Sequence, residues 1–297
     1  MAAAVMVEEI RFTLPHGRGH IAAKHWFKNQ SGSPILAVHG WLDNAATFDR
    51  CFPELTGHPI FAIDLAGHGK SSHRAVGMRY HNAEFLDDLL AVMDEISPSE
   101  PIILLGHSLG AGLLMLMAAL FPQRVSKLVL IEGLGPIASD PADIVSLTRD
   151  ALLRYQQLSM SVRPIESIEV ATKARMQGMT GALSREAAEL LLQRGINQCD
   201  DGSYVWSTDK RLRLPSLMRY SEQQVVSFIQ AITAPTLLIM GDTGMLAMAA
   251  SSPQYAARIN HFKDLQQVSL SGGHHLHLDE SPRQVALAIN AFLGSKA

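Results

Sequence analysis

Short apolar runs alternate with amphipathic stretches along most of the chain, and this alternation predicts a mixed α/β fold. Helical periodicity separates several of the runs, which is typical of a parallel sheet with helices on both faces. The first two runs, joined by a turn-rich segment, are expected to pair as antiparallel edge strands. The eight runs with strand length and composition are Val5–Leu14, His20–Phe27, Pro34–Val38, Pro59–Leu65, Ile102–Leu105, Val125–Ile131, Pro235–Met240 and Leu265–Leu270. The main helical stretches are Ala45–Leu55, Asn82–Ile96, Leu109–Phe121, Pro253–Ile259 and Pro282–Phe292.

The alternation stops after Pro136 and returns at Pro235. Between about Leu134 and Ser221 the pattern gives three amphipathic helical stretches and no convincing buried strand. This predicts a helical cap inserted into one α/β core. The expected division is residues 1–133 for the first part of the core, 134–221 for the cap and 222–297 for the second part of the core.

A candidate nucleophile lies between the buried strand Ile102–Leu105 and the apolar helix that follows it. The residues there are Gly106-His107-Ser108-Leu109-Gly110, a G-x-S-x-G turn. Such a turn lifts the serine hydroxyl above the sheet, and its glycines let the strand and the helix approach each other. Ser108 is therefore the predicted nucleophile.

A serine hydroxyl needs a general base within hydrogen-bond reach, and in folds of this kind the base follows the last strand. The loop there contains His274, His275 and His277 in a Gly-His-x-x-His pattern. This pattern selects His274 as the base, with His277 packed beneath it and His275 in reserve. Three close histidines can also bind metal, but the sequence shows no carboxylate and histidine spacing that completes a site, so no metal is predicted.

The base in turn needs a carboxylate that orients it, and two candidates preserve the order serine, acid, histidine. The usual position follows the strand Pro235–Met240, where the chain reads Gly241-Asp242-Thr243-Gly244 and places a glycine at the expected aspartate. Glu132 ends the strand that should neighbour the nucleophile strand. Glu132 is favoured because a carboxylate there has little structural reason to exist, whereas Asp242 can cap a turn; Asp242 remains the alternative.

Two backbone N–H groups are expected to form the oxyanion hole, those of Trp41 and Leu109. Leu109 opens the helix after the nucleophile, and Trp41 lies in the loop after the strand Pro34–Val38. Trp41 and His107 are also expected to line the substrate pocket. A largely apolar pocket roofed by the cap is predicted from the methionines of the cap, namely Met160, Met176, Met179 and Met218.

Composition narrows the function class further. The chain has 297 residues, a net charge of −3 and only two cysteines, and it has no basic block. These values do not suggest a nucleic-acid partner, a disulfide framework or a thiolate metal site. No apolar run reaches the length of a membrane span, and the first residues lack the basic start of a signal peptide. A cytoplasmic protein with a small-molecule partner is expected; the oligomeric state is left open.

Seven strings of the sequence carry a resemblance to a known family. The chain resembles the α/β-hydrolase fold superfamily, and within it the serine hydrolase-like proteins of animals. The resemblance implies an eight-stranded, mostly parallel sheet with an inserted cap, and an acid after the earlier strand, which agrees with Glu132. The strings are HIAAK (His20–Lys24), HGWLDNAATFDR (His39–Arg50), GHGKSSH (Gly67–His73), GHSLG, LLQRG (Leu191–Gly195), RLRLPS (Arg211–Ser216) and GGHHLH (Gly272–His277).

These residues together predict a serine hydrolase that cleaves a small, largely apolar carboxylic ester through an acyl-enzyme on Ser108. No cofactor is needed for this chemistry. A serine at the elbow argues against reactions that need a carboxylate nucleophile. Thioester or lactone hydrolysis by the same residues stays open, as does a binding protein of this fold that does not hydrolyse its ligand. The resemblance does not define the substrate.

Overall fold

The structure, a computed structural model, describes residues 7–161, 163–178 and 181–294. Its ten strands are β1 (Val7–Thr13), β2 (His20–Trp26), β3 (Ile35–Val38), β4 (Ile60–Ile63), β5 (Ile102–His107), β6 (Val125–Ile131), β7 (Ile196–Gln198), β8 (Tyr204–Trp206), β9 (Thr236–Gly241) and β10 (Leu265–Leu270) among the described residues. The α-helices described are α1 (Asn82–Ile96), α2 (Leu109–Leu120), α3 (Ile144–Gln156), α4 (Ile168–Met176), α5 (Arg185–Gly195), α6 (Glu222–Ala231), α7 (Met245–Ala249), α8 (Pro253–Asn260) and α9 (Pro282–Gly294).

Eight strands form one sheet in the order β1-β2-β4-β3-β5-β6-β9-β10. The pairs β1/β2 and β2/β4 are antiparallel, and the others are parallel. The predicted eight-stranded, mostly parallel α/β sheet is therefore confirmed. The order places β5 between β3 and β6, so the carboxyl ends of these strands meet at one edge, where ligands bind in such sheets.

Both faces of the sheet are covered, as the continuous apolar strands require. On one face α1, α2 and α6 pack over the sheet, with Leu89, Leu114 and Ile229 among the buried side chains. On the other face α9 packs beside Phe48 and Phe52. None of the described helices combines the length and the apolarity needed to cross a bilayer.

The prediction of one helix over Ala45–Leu55 is wrong. The chain forms two short 3₁₀ turns there, Ala45–Phe48 and Phe52–Glu54. The Asn44 side chain accepts the Ala46 N–H at 3.0 Å and starts the first turn. Pro53 prevents a continuous α-helix because it lacks an N–H and its ring would clash with the carbonyl four residues earlier. Residues 5 and 6, the start of the first predicted strand, lie outside the described residues.

Residues 134–221, here called the cap segment, contain α3, α4 and α5. They also contain an antiparallel pair, β7 with β8, which the pattern did not predict because each strand has only three residues. The cap segment adds no strand to the large sheet within the described residues. The exact domain boundaries stay a prediction.

Arg194 of the cap segment joins it to the core through a buried ion pair. Its guanidinium lies 2.6 Å from an Asp64 carboxylate oxygen, and both side chains are nearly inaccessible. Asp64 also accepts the N–H groups of Ala45 and Lys70, at 2.7 and 2.8 Å. Removing one partner of such a pair leaves an uncompensated buried charge.

We expect Arg194→Leu to lower the free energy of unfolding by about 3 kcal/mol, because Asp64 would stay buried without its counter-charge. The matched control is Arg185→Leu on the same helix, where the guanidinium is half exposed and pairs with Glu169. The control should change stability little. Urea denaturation of both variants measures the difference. Equal, small losses would show that the Arg194 pair does not hold the cap segment to the core.

Candidate active site

Ser108 occupies a strained turn between β5 and α2. Its backbone has φ 50° and ψ −113°, a region that costs a non-glycine residue on the order of 1–3 kcal/mol. Its N–H donates to the Ile131 carbonyl at 3.0 Å, which fixes the turn to the neighbouring strand. A Cβ atom at Gly106 would lie 2.5 Å from the Ala111 backbone nitrogen, so glycine is needed there. The turn has the form predicted from the G-x-S-x-G pattern.

The structure brings Ser108, His274 and Glu132 into one hydrogen-bonded chain. The Ser108 hydroxyl oxygen lies 2.9 Å from His274 Nε2. His274 Nδ1 lies 3.2 Å from Glu132 Oε2. With a proton on Nδ1 the ring donates to the carboxylate, and Nε2 is free to accept the hydroxyl proton. This is the geometry that a general base and its orienting acid require.

Glu132 reaches His274 from the carboxyl end of β6. Its backbone has φ 49°, and its side chain is fully buried. Besides His274, its carboxylate accepts the N–H groups of Gly241 and Met245, each at 2.8 Å. The loop after β9 therefore supplies donors rather than the acid. A Cβ atom at Gly244 would overlap the Glu132 carboxylate, which explains why the expected aspartate position holds glycine.

Asp242, the alternative acid, is exposed and points elsewhere. Its carboxylate accepts the Gly272 N–H at 2.9 Å and so connects the loops after β9 and β10. The structure describes no hydrogen bond or ion pair between Asp242 and His274. Asp242 has the turn-capping role that sequence reasoning gave it as the simpler explanation.

The expected oxyanion donors are positioned by the two loops that flank Ser108. Among the described residues, neither the Trp41 N–H nor the Leu109 N–H has a protein acceptor. Leu109 is the first residue of α2, where the N–H has no partner inside the helix. Gly40 lies against Ser108, since a Cβ atom there would be 3.2 Å from the Ser108 Cβ. The Trp41 N–H, one peptide further, is therefore close to the nucleophile.

Two buried histidines hold the loop that carries Trp41. His68 Nε2 accepts the Leu42 N–H at 3.2 Å, and Leu42 has a positive φ of 61°. His39 Nε2 accepts the Leu65 N–H at 2.9 Å. Burial lowers the pKa of His68 to about 3 and also lowers the pKa of His39. Both rings are therefore neutral hydrogen-bonding supports, as expected for residues outside the reaction.

In the part of the chain that the structure describes, no other histidine of the site forms a hydrogen bond with the Ser108 hydroxyl. His107 was expected in the pocket wall, but it is fully buried and its Nε2 lies 2.9 Å from the His274 carbonyl oxygen. It supports the His274 backbone instead. His277 Nε2 lies 3.0 Å from the Thr47 hydroxyl, and its ring centroid lies 4.3 Å from that of His107. His275 Nε2 lies 3.1 Å from an Asp43 carboxylate oxygen, a pairing that the sequence did not suggest.

A cavity of about 310 Å³ lies between the Trp41 loop and the cap segment. Two of the methionines expected to roof the pocket, Met160 and Met218, do not line this cavity, and they are 56% and 77% exposed. Met179 lies outside the described residues. Met176 is also absent from the lining. The lining is mixed rather than uniformly apolar, and its larger side chains are Trp41, Asn44, Arg175, Gln177, Leu191, Leu192, Trp206 and Arg213.

Comparisons with known proteins agree with this architecture. Residues 33–165 match the family model of the α/β-hydrolase fold. A probable serine hydrolase of Drosophila melanogaster is 34% identical over 96% of this chain and 87% of its own length. The chain belongs to the α/β-hydrolase fold superfamily, among the serine hydrolase-like proteins. The resemblance stated from the motifs is confirmed.

Two solved structures extend the likeness to the whole chain. A hypothetical protein of Pseudomonas aeruginosa superposes with a TM-score of 0.87 at 39% identity, over 97% of this chain and all of that one. The thioesterase domain from the curacin biosynthetic pathway superposes with a TM-score of 0.79 at 26% identity, over 98% of this chain and all of that one. Both share the fold of this α/β-hydrolase, including its cap segment.

We expect Glu132→Gln to lower kcat/KM by a factor on the order of 10² to 10⁴, because an amide cannot balance an imidazolium and can favour the wrong tautomer of His274. The matched control is Asp242→Asn, whose amide oxygen can still accept the Gly272 N–H, and it should stay near wild type. Turnover of an activated ester measures both, with folding checked by circular dichroism. A crippled Asp242→Asn beside a normal Glu132→Gln would place the acid after β9.

Proposed function

We propose that this serine hydrolase-like protein cleaves a small carboxylic ester through an acyl-enzyme on Ser108. The observation that carries the proposal is the chain of hydrogen bonds from Glu132 through His274 to Ser108, 3.2 and 2.9 Å long. Ser108, the last residue of this chain of hydrogen bonds, lies next to the N–H groups of Trp41 and Leu109, which have no acceptors in the described part of the protein. A buried aspartate or glutamate, a histidine and a serine in this order form the constellation used for acyl transfer.

Each residue has one role in the proposed reaction. Ser108 Oγ attacks the ester carbonyl while its proton moves to His274 Nε2, and the carbonyl oxygen becomes an oxyanion held by the N–H groups of Trp41 and Leu109. His274 then protonates the leaving alcohol, and the acyl group stays on Ser108. A water molecule repeats the sequence, with His274 again as base, and releases the acid. Glu132 stabilises the imidazolium in both halves.

The same residues can hydrolyse a thioester, and the likeness to a thioesterase domain favours this as the second candidate. The two candidates differ in the leaving group alone, a thiolate being expelled more easily than an alkoxide. Lactone hydrolysis stays open for the same reason. A cytoplasmic location stays a prediction.

Ser108→Ala is expected to abolish covalent labelling by a fluorophosphonate and to lower esterase activity by about 10³-fold or more, since only oxyanion stabilisation would remain. The reagent phosphonylates an activated serine, so mass spectrometry of the wild-type peptide should place the adduct on Ser108. The matched control is Ser126→Ala in β6, where the residue is half-buried and its hydroxyl oxygen is inaccessible; this variant should label normally. A folded wild-type protein that neither labels nor turns over esters would favour a ligand-binding protein.

We further propose that the cavity beside Trp41 takes the acyl chain, because Trp41 both lines it and supplies an oxyanion donor. Ala174→Phe should then lower kcat/KM for an octanoyl ester about tenfold and leave an acetyl ester unchanged. Ala174 lines the cavity from an exposed position of α4, so the larger ring needs no repacking of the core. Lys173→Phe, one residue away and outside the lining, is the control. No change in the octanoyl-to-acetyl ratio would place the chain elsewhere.

A further inference from the structure

Three buried side chains from separate segments converge next to the proposed catalytic base. They are Asp43 from the loop after β3, His107 from the end of β5, and His275, which follows His274. Each is at most 4% exposed. Asp43 Oδ2 lies 3.1 Å from His275 Nε2 and 3.7 Å from His107 Nδ1, and all three atoms lie within 4.8 Å of one another. These atoms are close enough to share one ion after small side-chain rotations.

The hydrogen bonds of His107 leave its Nδ1 as a buried lone pair without a partner inside this cluster. Its Nε2 lies 2.9 Å from the His274 carbonyl oxygen and must carry the proton, because a carbonyl can only accept. Nδ1 therefore has no proton, and it has no hydrogen-bond partner in the described part of the chain. It faces the Asp43 carboxylate, so two electron-rich groups meet without a hydrogen between them. A cation between them would satisfy both.

The arrangement around His107 is one that metal-binding histidines commonly have. Such a histidine usually donates its other ring N–H to a carbonyl or carboxylate, which fixes its tautomer and orientation. Glycine at position 40 also keeps a methyl group away from this nitrogen, since a Cβ atom there would lie 2.8 Å from His107 Nδ1. Two imidazole nitrogens and one carboxylate oxygen suit Zn²⁺ or Co²⁺, whereas Mg²⁺ and Ca²⁺ prefer oxygen ligands throughout.

We propose that Asp43, His107 and His275 bind a divalent transition-metal ion, with Zn²⁺ as the best match, and that the bound ion inhibits the hydrolase reversibly. Binding through His275 Nε2 would require the ring to carry its proton on Nδ1, so the hydrogen bond from Nε2 to Asp43 would be replaced by a bond from Nε2 to the ion. Two of the ligands would connect the ion to His274. His275 follows His274 directly in the chain, and His107 donates a hydrogen bond to the His274 carbonyl. The inhibition rests on the proposed function, but the binding does not.

Arg175 of the cap segment is expected to lower the affinity of this site for a metal ion. Its guanidinium pairs with the other oxygen of Asp43, so it opposes the approach of a second positive charge. Arg175→Met should therefore tighten metal binding about tenfold, a gain that only a folded protein can show. The same residue also lines the cavity beside Trp41, so the cluster and the cavity are neighbours.

The test uses untagged protein titrated with Co²⁺ and Zn²⁺ in the absence of substrate. Visible absorption bands typical of tetrahedral cobalt, heat of zinc binding and a rise in Tm are expected for the wild type, and Mg²⁺ should produce none of them. Asp43→Asn and His275→Ala should weaken zinc binding at least tenfold. His274→Ala should bind zinc normally, because His274 is not a ligand.

Several results would overturn the proposal. Absence of cobalt bands and of zinc heat at millimolar metal would exclude the site. Zinc binding that is lost in His274→Ala but kept in His275→Ala would place the ion on the proposed triad instead. Binding with the expected variant pattern but without inhibition of ester hydrolysis would refute the inhibitory role alone. An inactive wild-type protein that binds zinc as expected would refute the proposed function and leave the site standing.

Discussion

The burial of the Glu132 carboxylate beneath His274 constrains much of the surrounding structure. A buried carboxylate must be met by donors, and here they are the His274 ring and the amides of Gly241 and Met245. Gly241 ends β9 and Met245 begins α7 a few residues later, so this arrangement needs β6 and β9 to be neighbours in the sheet. The carboxylate also needs the space beside Gly244, which no residue with a side chain could leave free. One interaction thus links strand order, a backbone with positive φ and a required glycine.

The loop that supplies the Trp41 N–H is held from both sides. The core contacts it through His68, and the cap segment contacts three of its side chains. The Trp41 indole donates to the Leu212 carbonyl at 2.9 Å, the Asn44 amide donates to the Leu191 carbonyl at 2.8 Å, and Asp43 pairs with Arg175. The strings LLQRG and RLRLPS, which are among those that carry the family resemblance, contain the two carbonyls. Displacement of the cap segment would therefore disturb the loop beside the nucleophile.

Local patterns predicted the strands, Ser108 and His274, because each is marked by a short stretch of sequence: an apolar run, the G-x-S-x-G turn or the Gly-His-x-x-His loop. The acid was predicted less firmly, because the N–H groups that donate to Glu132 lie more than a hundred residues away in sequence. Only the structure shows that a side chain at position 244 would overlap the Glu132 carboxylate. The helix expected over Ala45–Leu55 failed because its apolar spacing fits two short turns as well as one helix. The pairing of Asp43 with His275 gave no sequence signal, since 232 residues separate them.

Histidine is frequent around this site because a neutral imidazole can donate from one nitrogen and accept at the other. His39 and His68 each connect two backbone groups in this way. Burial lowers the pKa of both, and also that of His107 and His277, so these four rings resist protonation. Among His39, His68, His107, His274, His275 and His277, only His274 and His275 lie within hydrogen-bond distance of a carboxylate. Of these two histidines, only His274 also contacts a hydroxyl, that of Ser108. This difference makes His274 the proposed base and His275 a proposed metal ligand.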